Sequence, residues 1–167
     1  MNSTVCLLLG ALISGCATAE PPQGQPAFYD NLSRGDVKLN VPAAISLISD
    51  YRRKNGLPPL ETDPKLQAMA EEQARLMAKA NKVTHDPGGR NFTKRLKASG
   101  FDAQRAAENI GAGYHTMAEA FSGWRDSPSH NKNMLLPGAT RVGIATAYAP
   151  ISNYKVFWAL VLAEPDK

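Results

Sequence analysis

Strand-forming sequence is concentrated at the end of this chain. Arg141 to Tyr148 and Lys155 to Leu162 are β-branched and aromatic runs separated by a turn region of Pro, Ser and Asn, and together they read as a terminal hairpin. The chain before them is written in helical periods. Pro42 can open a helix whose core face is Ile45, Leu47, Ile48 and Tyr51 and whose stop is Gly56. Asp63 followed by Pro64 is a cap with a first-turn proline, and Leu66, Met69, Ala70, Gln73, Met77 and Ala80 trace the stripe of a second helix. Its methionines are packing residues rather than a cofactor box. Phe92 and Leu96 mark a short helix that Gly100 ends. Thr116-Met117-Ala118-Glu119 is a capping box that places Phe121 and Trp124 on a fourth helix, and Ser127-Pro128 ends that helix and starts a fifth with His130 in its first turn. Helices before and between strands that cluster late argue for an α+β fold rather than a doubly wound parallel sheet.

The first residues belong to something else. Val5 to Ile13 is an apolar run too short to span a bilayer and is followed by small residues, the form of a secretory signal over residues 1–15. Ile13-Ser14-Gly15-Cys16 resembles a bacterial lipoprotein box, in which Cys16 becomes the lipidated first residue; the alternative is ordinary cleavage after Ala17-Thr18-Ala19. Residues 16–41 then read as anchor and tether: Glu20 to Pro26 is rich in Pro, Gly and Gln and has no apolar period. Ala27 to Asn40 is open between linker and a segment docked through Phe28, Tyr29 and Leu32. The folded domain occupies 42–165, with no internal repeat. Both cysteines, Cys6 and Cys16, lie in the leader, so this domain has no internal disulfide and relies on packing. The formal net charge is +4, but the charges are interspersed, as in Arg52-Arg53-Lys54 beside Asp50 and Glu71-Glu72 near Arg75. A nucleic-acid footprint would cluster them on one face, so nucleic acid is excluded as a partner, and the charges read as a solvated surface on a monomer.

The chemistry is carried by two dense words. Ala107-Glu108-Asn109-Ile110-Gly111-Ala112-Gly113 is followed by Trp124-Arg125-Asp126-Ser127-Pro128-Ser129-His130-Asn131-Lys132-Asn133-Met134. With His85, in the Gly/Pro loop His85-Asp86-Pro87-Gly88-Gly89, they supply two imidazoles and a carboxylate 23 and 22 residues apart. From about Ile45 to Leu162 the order of these words resembles the CAP superfamily, the cysteine-rich secretory, antigen five and pathogenesis-related-one proteins, in its bacterial form. Gly143, 13 residues after His130, fits the same pattern. The resemblance implies a three-layer α-β-α sandwich of the SCP-like type with a central cleft holding His85, Glu108 and His130. The family's site is often a tetrad with a second glutamate two residues before the tryptophan. That position is Ser122 here, and Glu119, one helical turn earlier, does not match it.

Two functional classes follow. Relatives are regarded as secreted ligand-binding domains, so the resemblance implies binding of an envelope lipid, glycan or protein by His85, Glu108 and His130, in a protein exported to the bacterial envelope and held at the membrane through Cys16. Alternatively, two neutral imidazoles and a carboxylate can bind zinc or another divalent metal and leave a position for water. His85 and His130 would then be the ligands and Glu108 the catalytic base of a hydrolase. No His-Glu-x-x-His pair enforces that geometry. No glycine elbow surrounds Ser122, Ser127 or Ser129, and binding rather than turnover is the reading preferred. Each site residue also has a plainer role. His85 would be solvent-exposed, His130 a capping or hydrogen-bonding partner, and Glu108 an acceptor for backbone N–H groups in an apolar setting where a carboxylate must find donors or a cation. Asn109 reads as a structural tie and His115 as surface.

Overall fold

A computed structural model describes residues 24–166; the signal segment and Cys16 lie outside the described residues. Among the described residues nine α-helices and β-strands follow one another, with three short 3-10 turns between or before them: α1 (Val41–Lys54), β1 (Glu61–Thr62), α2 (Pro64–Ala80), α3 (Phe92–Ser99), β2 (Ala103–Ala112), α4 (Met117–Asp126), α5 (Pro128–Met134), β3 (Arg141–Tyr148) and β4 (Val156–Pro165). The strands form one sheet in the order β1-β3-β4-β2. β4 pairs antiparallel with both β3 and β2, and the short β1 runs parallel to β3.

β4 explains the layering. It is central, so both of its faces are covered and its sequence reads as an unbroken apolar run. Val156, Trp158, Leu160 and Leu162 point to one side, where they pack with Ile45 and Ile48 of α1, Met117 and Trp124 of α4 and Met134 of α5. Phe157, Ala159, Val161 and Ala163 point to the other, against Leu66, Met69, Ala74 and Met77 of α2 and Phe92 and Leu96 of α3. The result is the α-β-α sandwich expected. The rings of Trp124 and Trp158 meet edge to face at 6.2 Å, a favoured aromatic geometry.

Caps fix the helix ends as the sequence leads one to expect. The Asp63 carboxylate accepts from the N–H groups of Lys65 (2.8 Å) and Leu66 (3.1 Å), and Thr116 and Glu119 form the capping box of α4. The segment left open between linker and domain docks: Leu32 is buried and Phe28, Val37 and Leu39 pack against the first core.

Two features differ from expectation. β2 was not visible in the sequence, and Glu108 lies on this strand rather than on a loop. Arg52 is not part of the solvated surface. It is fully buried, donating to the carbonyls of Pro58 (3.0 Å), Met134 (2.8 Å), Leu136 (3.1 Å) and Ala139 (2.7 Å), and burial lowers its pKa. It pins α1 to the end of α5. Gly143 earns its place by contact: a Cβ there would collide with the backbone of Leu66 and Gln67. α2 therefore lies directly on β3, and the Gln67 side chain pairs with both the N–H (3.1 Å) and the C=O (3.0 Å) of Ile144.

Candidate functional site

The site forms around the edge strand β2, whose successive side chains face opposite layers. Glu108 shares the α2 and α3 face with Ile110, while Asn109 faces α5. His85 arrives from the α2 side. α2 ends at Asn81 in the left-handed region, at φ 50°, and the buried Gln73 donates from Nε2 to the carbonyl of Thr84 at 2.7 Å, which fixes the residue before His85. His85 Nδ1 then lies 2.7 Å from Glu108 Oε1, with the imidazole 56% exposed and the carboxylate 2% exposed.

The partner that buries Glu108 is Arg95, on α3. Its Nη2 donates to Oε1 at 2.9 Å and Oε2 at 2.8 Å, and to the carbonyl of His85 at 3.1 Å. Its Nε reaches the carbonyl of Arg90 at 3.3 Å, and its guanidinium stands over the Phe92 ring at 5.7 Å. Sequence reasoning missed Arg95. The signal was present in Glu108 itself, since a carboxylate in an apolar word demands a cation, but nothing in the sequence said which of the nearby basic residues would supply it.

His130 comes from the opposite layer. Its Nδ1 lies 2.9 Å from Ser127 Oγ, and its backbone carbonyl accepts from Asn109 Nδ2 at 2.9 Å. Asn133 donates to Asn109 Oδ1 (2.9 Å) and to the Glu108 carbonyl (3.1 Å), so α5 covers the outer edge of β2. Asn109 is thus the structural tie expected. Burial lowers the His130 pKa below 6.5, and the positive charge of His85 lowers it further. The two imidazoles, carried by different layers, are therefore near enough to feel one another.

The donor set does not fit a metal held by all three residues. Both oxygens of Glu108 are engaged by Arg95 and one also by His85, and a buried guanidinium repels a cation placed beside it. Among the described residues no group of three or more His, Cys, Asp and Glu side chains is placed to hold a metal ion. The same contacts commit both oxygens of Glu108 to Arg95 and His85, unlike the free carboxylate that the alternative hydrolase reading uses as its base. Glu119 is no substitute for the missing carboxylate, because its Oε2 accepts from the N–H groups of His115 (2.5 Å) and Thr116 (3.2 Å) at the start of α4. Ser122 lines a shallow depression with Tyr29 and Thr116, apart from the three site residues. Three clefts of 400 to 460 Å³ among the described residues are lined by residues other than His85, Glu108 and His130; of these three residues, His85 is the exposed one and Glu108 is buried.

Comparison with known proteins gives a consistent answer. The pattern of the "Cysteine-rich secretory protein family", CAP, matches residues 45–162. The uncharacterized protein YkwD of Bacillus subtilis is 32% identical over 129 residues, covering 77% of this chain and 48% of its own; the chain thus spans about half the length of that relative. An extracellular protein containing an SCP domain from Bacillus anthracis superposes with a TM-score of 0.65 at 25% identity, over 75% of this chain and 40% of its own. An outer surface protein from Borrelia burgdorferi gives a TM-score of 0.65 at 20% identity over 73% of this chain and 90% of its own, a likeness of fold.

Proposed function

The chain belongs to the cysteine-rich secretory protein (CAP) family, and on that premise we propose that it is an exported binding domain of the bacterial envelope. In this reading His85 and His130 receive a lipid headgroup, glycan or protein through hydrogen bonds. The observation that carries it is the double engagement of Glu108. A carboxylate that already accepts from Arg95 and faces His85 is part of the frame, and what it presents to solvent is the exposed imidazole of His85. Relatives found outside the cytoplasm, in Bacillus anthracis and on the surface of Borrelia burgdorferi, support export. Among the described residues no helix is long and apolar enough to cross a membrane; we place attachment at Cys16, on the lipoprotein-like sequence Ile13-Ser14-Gly15-Cys16.

One observation favours a second reading, a hydrolase that uses no metal. Glu108 accepts at Nδ1 of His85, which fixes the proton on that nitrogen and leaves Nε2 as a base able to take a proton from water. The two readings separate in one experiment. The purified protein is mixed with envelope glycan, lipid and peptide fragments while the imidazole resonances of His85 and His130 and the fragments themselves are followed by NMR. Binding shifts both imidazoles and leaves the fragments intact. Fragment cleavage that His85→Gln abolishes would establish the hydrolase, and an absence of any shift would overturn the binding site.

A further inference from the structure

Among the described residues five large apolar side chains stand in solvent, and four of them, Val83, Tyr148, Ile151 and Tyr154, belong to one end of the sheet. Tyr148 closes β3 and Val156 opens β4, so three of the four lie at or in the turn between these strands. The fourth is brought in from α2. Ser152 Oγ donates to Asn81 Oδ1 at 2.6 Å, which ties the turn after α2, with Val83 in it, to the turn between β3 and β4. The end of β2 arrives from a third direction, where a Cβ on Gly113 would stand 3.5 Å from the Tyr154 ring.

The turn between β3 and β4 is hydrogen-bonded around its apex. Ser152, buried at its base, donates from its N–H to the carbonyl of Ala149 at 3.0 Å and accepts at Oγ from the N–H of Tyr154 at 3.0 Å. The N–H of Ala149 reaches the carbonyl of Lys155 at 2.7 Å. Lys155 is left-handed, at φ 61°, a conformation that a residue with a side chain keeps only where its surroundings impose it. Ile151 is carried on this frame and is 99% exposed. Single apolar residues on a surface are ordinary, but this one is held out by a closed turn with three more exposed apolar side chains at the same end.

We propose that this end of the domain docks on an anionic bilayer, with Ile151 entering the interface and Tyr148 and Tyr154 at headgroup level, where amphipathic rings are favoured. Charge complementarity selects that partner. Residues 81–84, 112–115 and 149–155 contain no Asp or Glu and carry Lys82 and Lys155. Lys82 is exposed, and Lys155 Nζ meets the carbonyl of Pro150 at 2.7 Å, a neutral partner that leaves its charge for headgroups. Shape points the same way. A protruding side chain needs a matching hole in a protein partner, whereas a bilayer admits a convex tip and its anionic lipids attract the lysines. One apex and two lysines bind weakly and reversibly, so the contact orients the domain at a membrane without replacing an anchor. It depends neither on what His85 and His130 bind nor on a lipid at Cys16.

The test uses the chain from residue 16 onward in its Cys16→Ala form, so that neither the signal segment nor a lipid contributes, with vesicles of phosphatidylcholine alone or mixed with phosphatidylglycerol. The protein should co-sediment with the phosphatidylglycerol vesicles at low salt, and several-fold less with phosphatidylcholine alone or at high salt. Ile151→Asp should weaken binding at least about tenfold with the thermal midpoint unchanged, because so exposed a side chain has no packing to lose. Lys82→Gln should weaken binding about fivefold on phosphatidylglycerol vesicles only. Ile151→Trp should add a fluorescence component that shifts to shorter wavelength with vesicles, against the constant background of the buried Trp124 and Trp158. Absence of co-sedimentation with phosphatidylglycerol vesicles, or undiminished binding by Ile151→Asp, would overturn the proposal. So would a concentration-dependent dimer that Ile151→Asp dissolves, which would assign the apex to a second copy of the chain.

Discussion

Nη2 of Arg95 bridges both carboxylate oxygens of Glu108, at 2.9 and 2.8 Å, with the two side chains 3% and 2% exposed. An ion pair so far from water is held together by its own completeness. Removing one partner strands the other charge, whereas removing both leaves nothing to compensate.

Glu108→Gln should therefore destabilise the domain by about 3 to 5 kcal/mol, read as a lowered urea midpoint. The double variant Glu108→Gln with Arg95→Met should recover much of that loss. A double variant as unstable as the sum of the two single ones would show that the two residues are not coupled, and the stranded-charge account would fail.

His130 should titrate below 6.5, since burial first and the charge of His85 second lower its pKa. Between the folded and the unfolded value the unfolded chain binds more protons, so stability rises with pH. The contribution is complete above the unfolded value and is lost as pH falls through the folded one. NMR titration of the imidazole checks the first statement. In His85→Gln the His130 midpoint should move up, but only in part, because burial remains.

Gly143→Ala should cost about 3 kcal/mol, the upper part of the usual range for overpacking. The new methyl meets the backbone of Leu66 and Gln67, and backbone has no alternative rotamer to adopt. Thermal unfolding measures the loss. The His85 resonance should shift as well, because His85 follows the helix that is displaced.

Arg52→Met should be similarly harmful, since it leaves the buried carbonyls of Met134 and Ala139 without their donor at roughly 1 to 3 kcal/mol for each buried group left unpaired, while Leu136 keeps the Ala139 N–H. Arg52→Lys should rescue little of it in chemical denaturation, because one ammonium cannot reproduce a planar fork reaching four carbonyls.

Mass spectrometry of the protein recovered from membranes should show a lipid on Cys16, and Cys16→Ala should release the protein into the soluble fraction. Recovery of a chain beginning at Glu20 would leave the domain exported but unanchored.

The helices and the terminal hairpin were legible because their signals are local. Asp63-Pro64 and Thr116 with Glu119 announce helix starts by side chain to backbone chemistry that operates within four residues, and Pro128 marks a third start by its fixed φ at the first helical position. The three candidate site residues stand in or beside dense words of the sequence. β2 was not, because Ala-Gln-Arg-Ala-Ala-Glu-Asn-Ile-Gly-Ala has little β-branched or aromatic content, and its strand conformation comes from pairing along β4, a tertiary cause. Arg52 and Arg95 were hidden for a related reason. Sequence shows a basic residue on a helix, but whether it meets water or a buried acceptor depends on elements that pack against it from far along the chain, α5 for the first and β2 for the second.

The neighbours Glu108 and Asn109 on β2 serve different layers, one answering Arg95 and the other Asn133 and His130. A slip of one residue between β2 and β4 would turn the carboxylate toward Asn133 and the His130 carbonyl and the amide toward a buried guanidinium. Such a register leaves a charge unmet in each layer. The same residues that frame the candidate site thus proofread the pairing of a strand whose own sequence scarcely specifies it, so a chain that has closed its sheet wrongly also lacks the site.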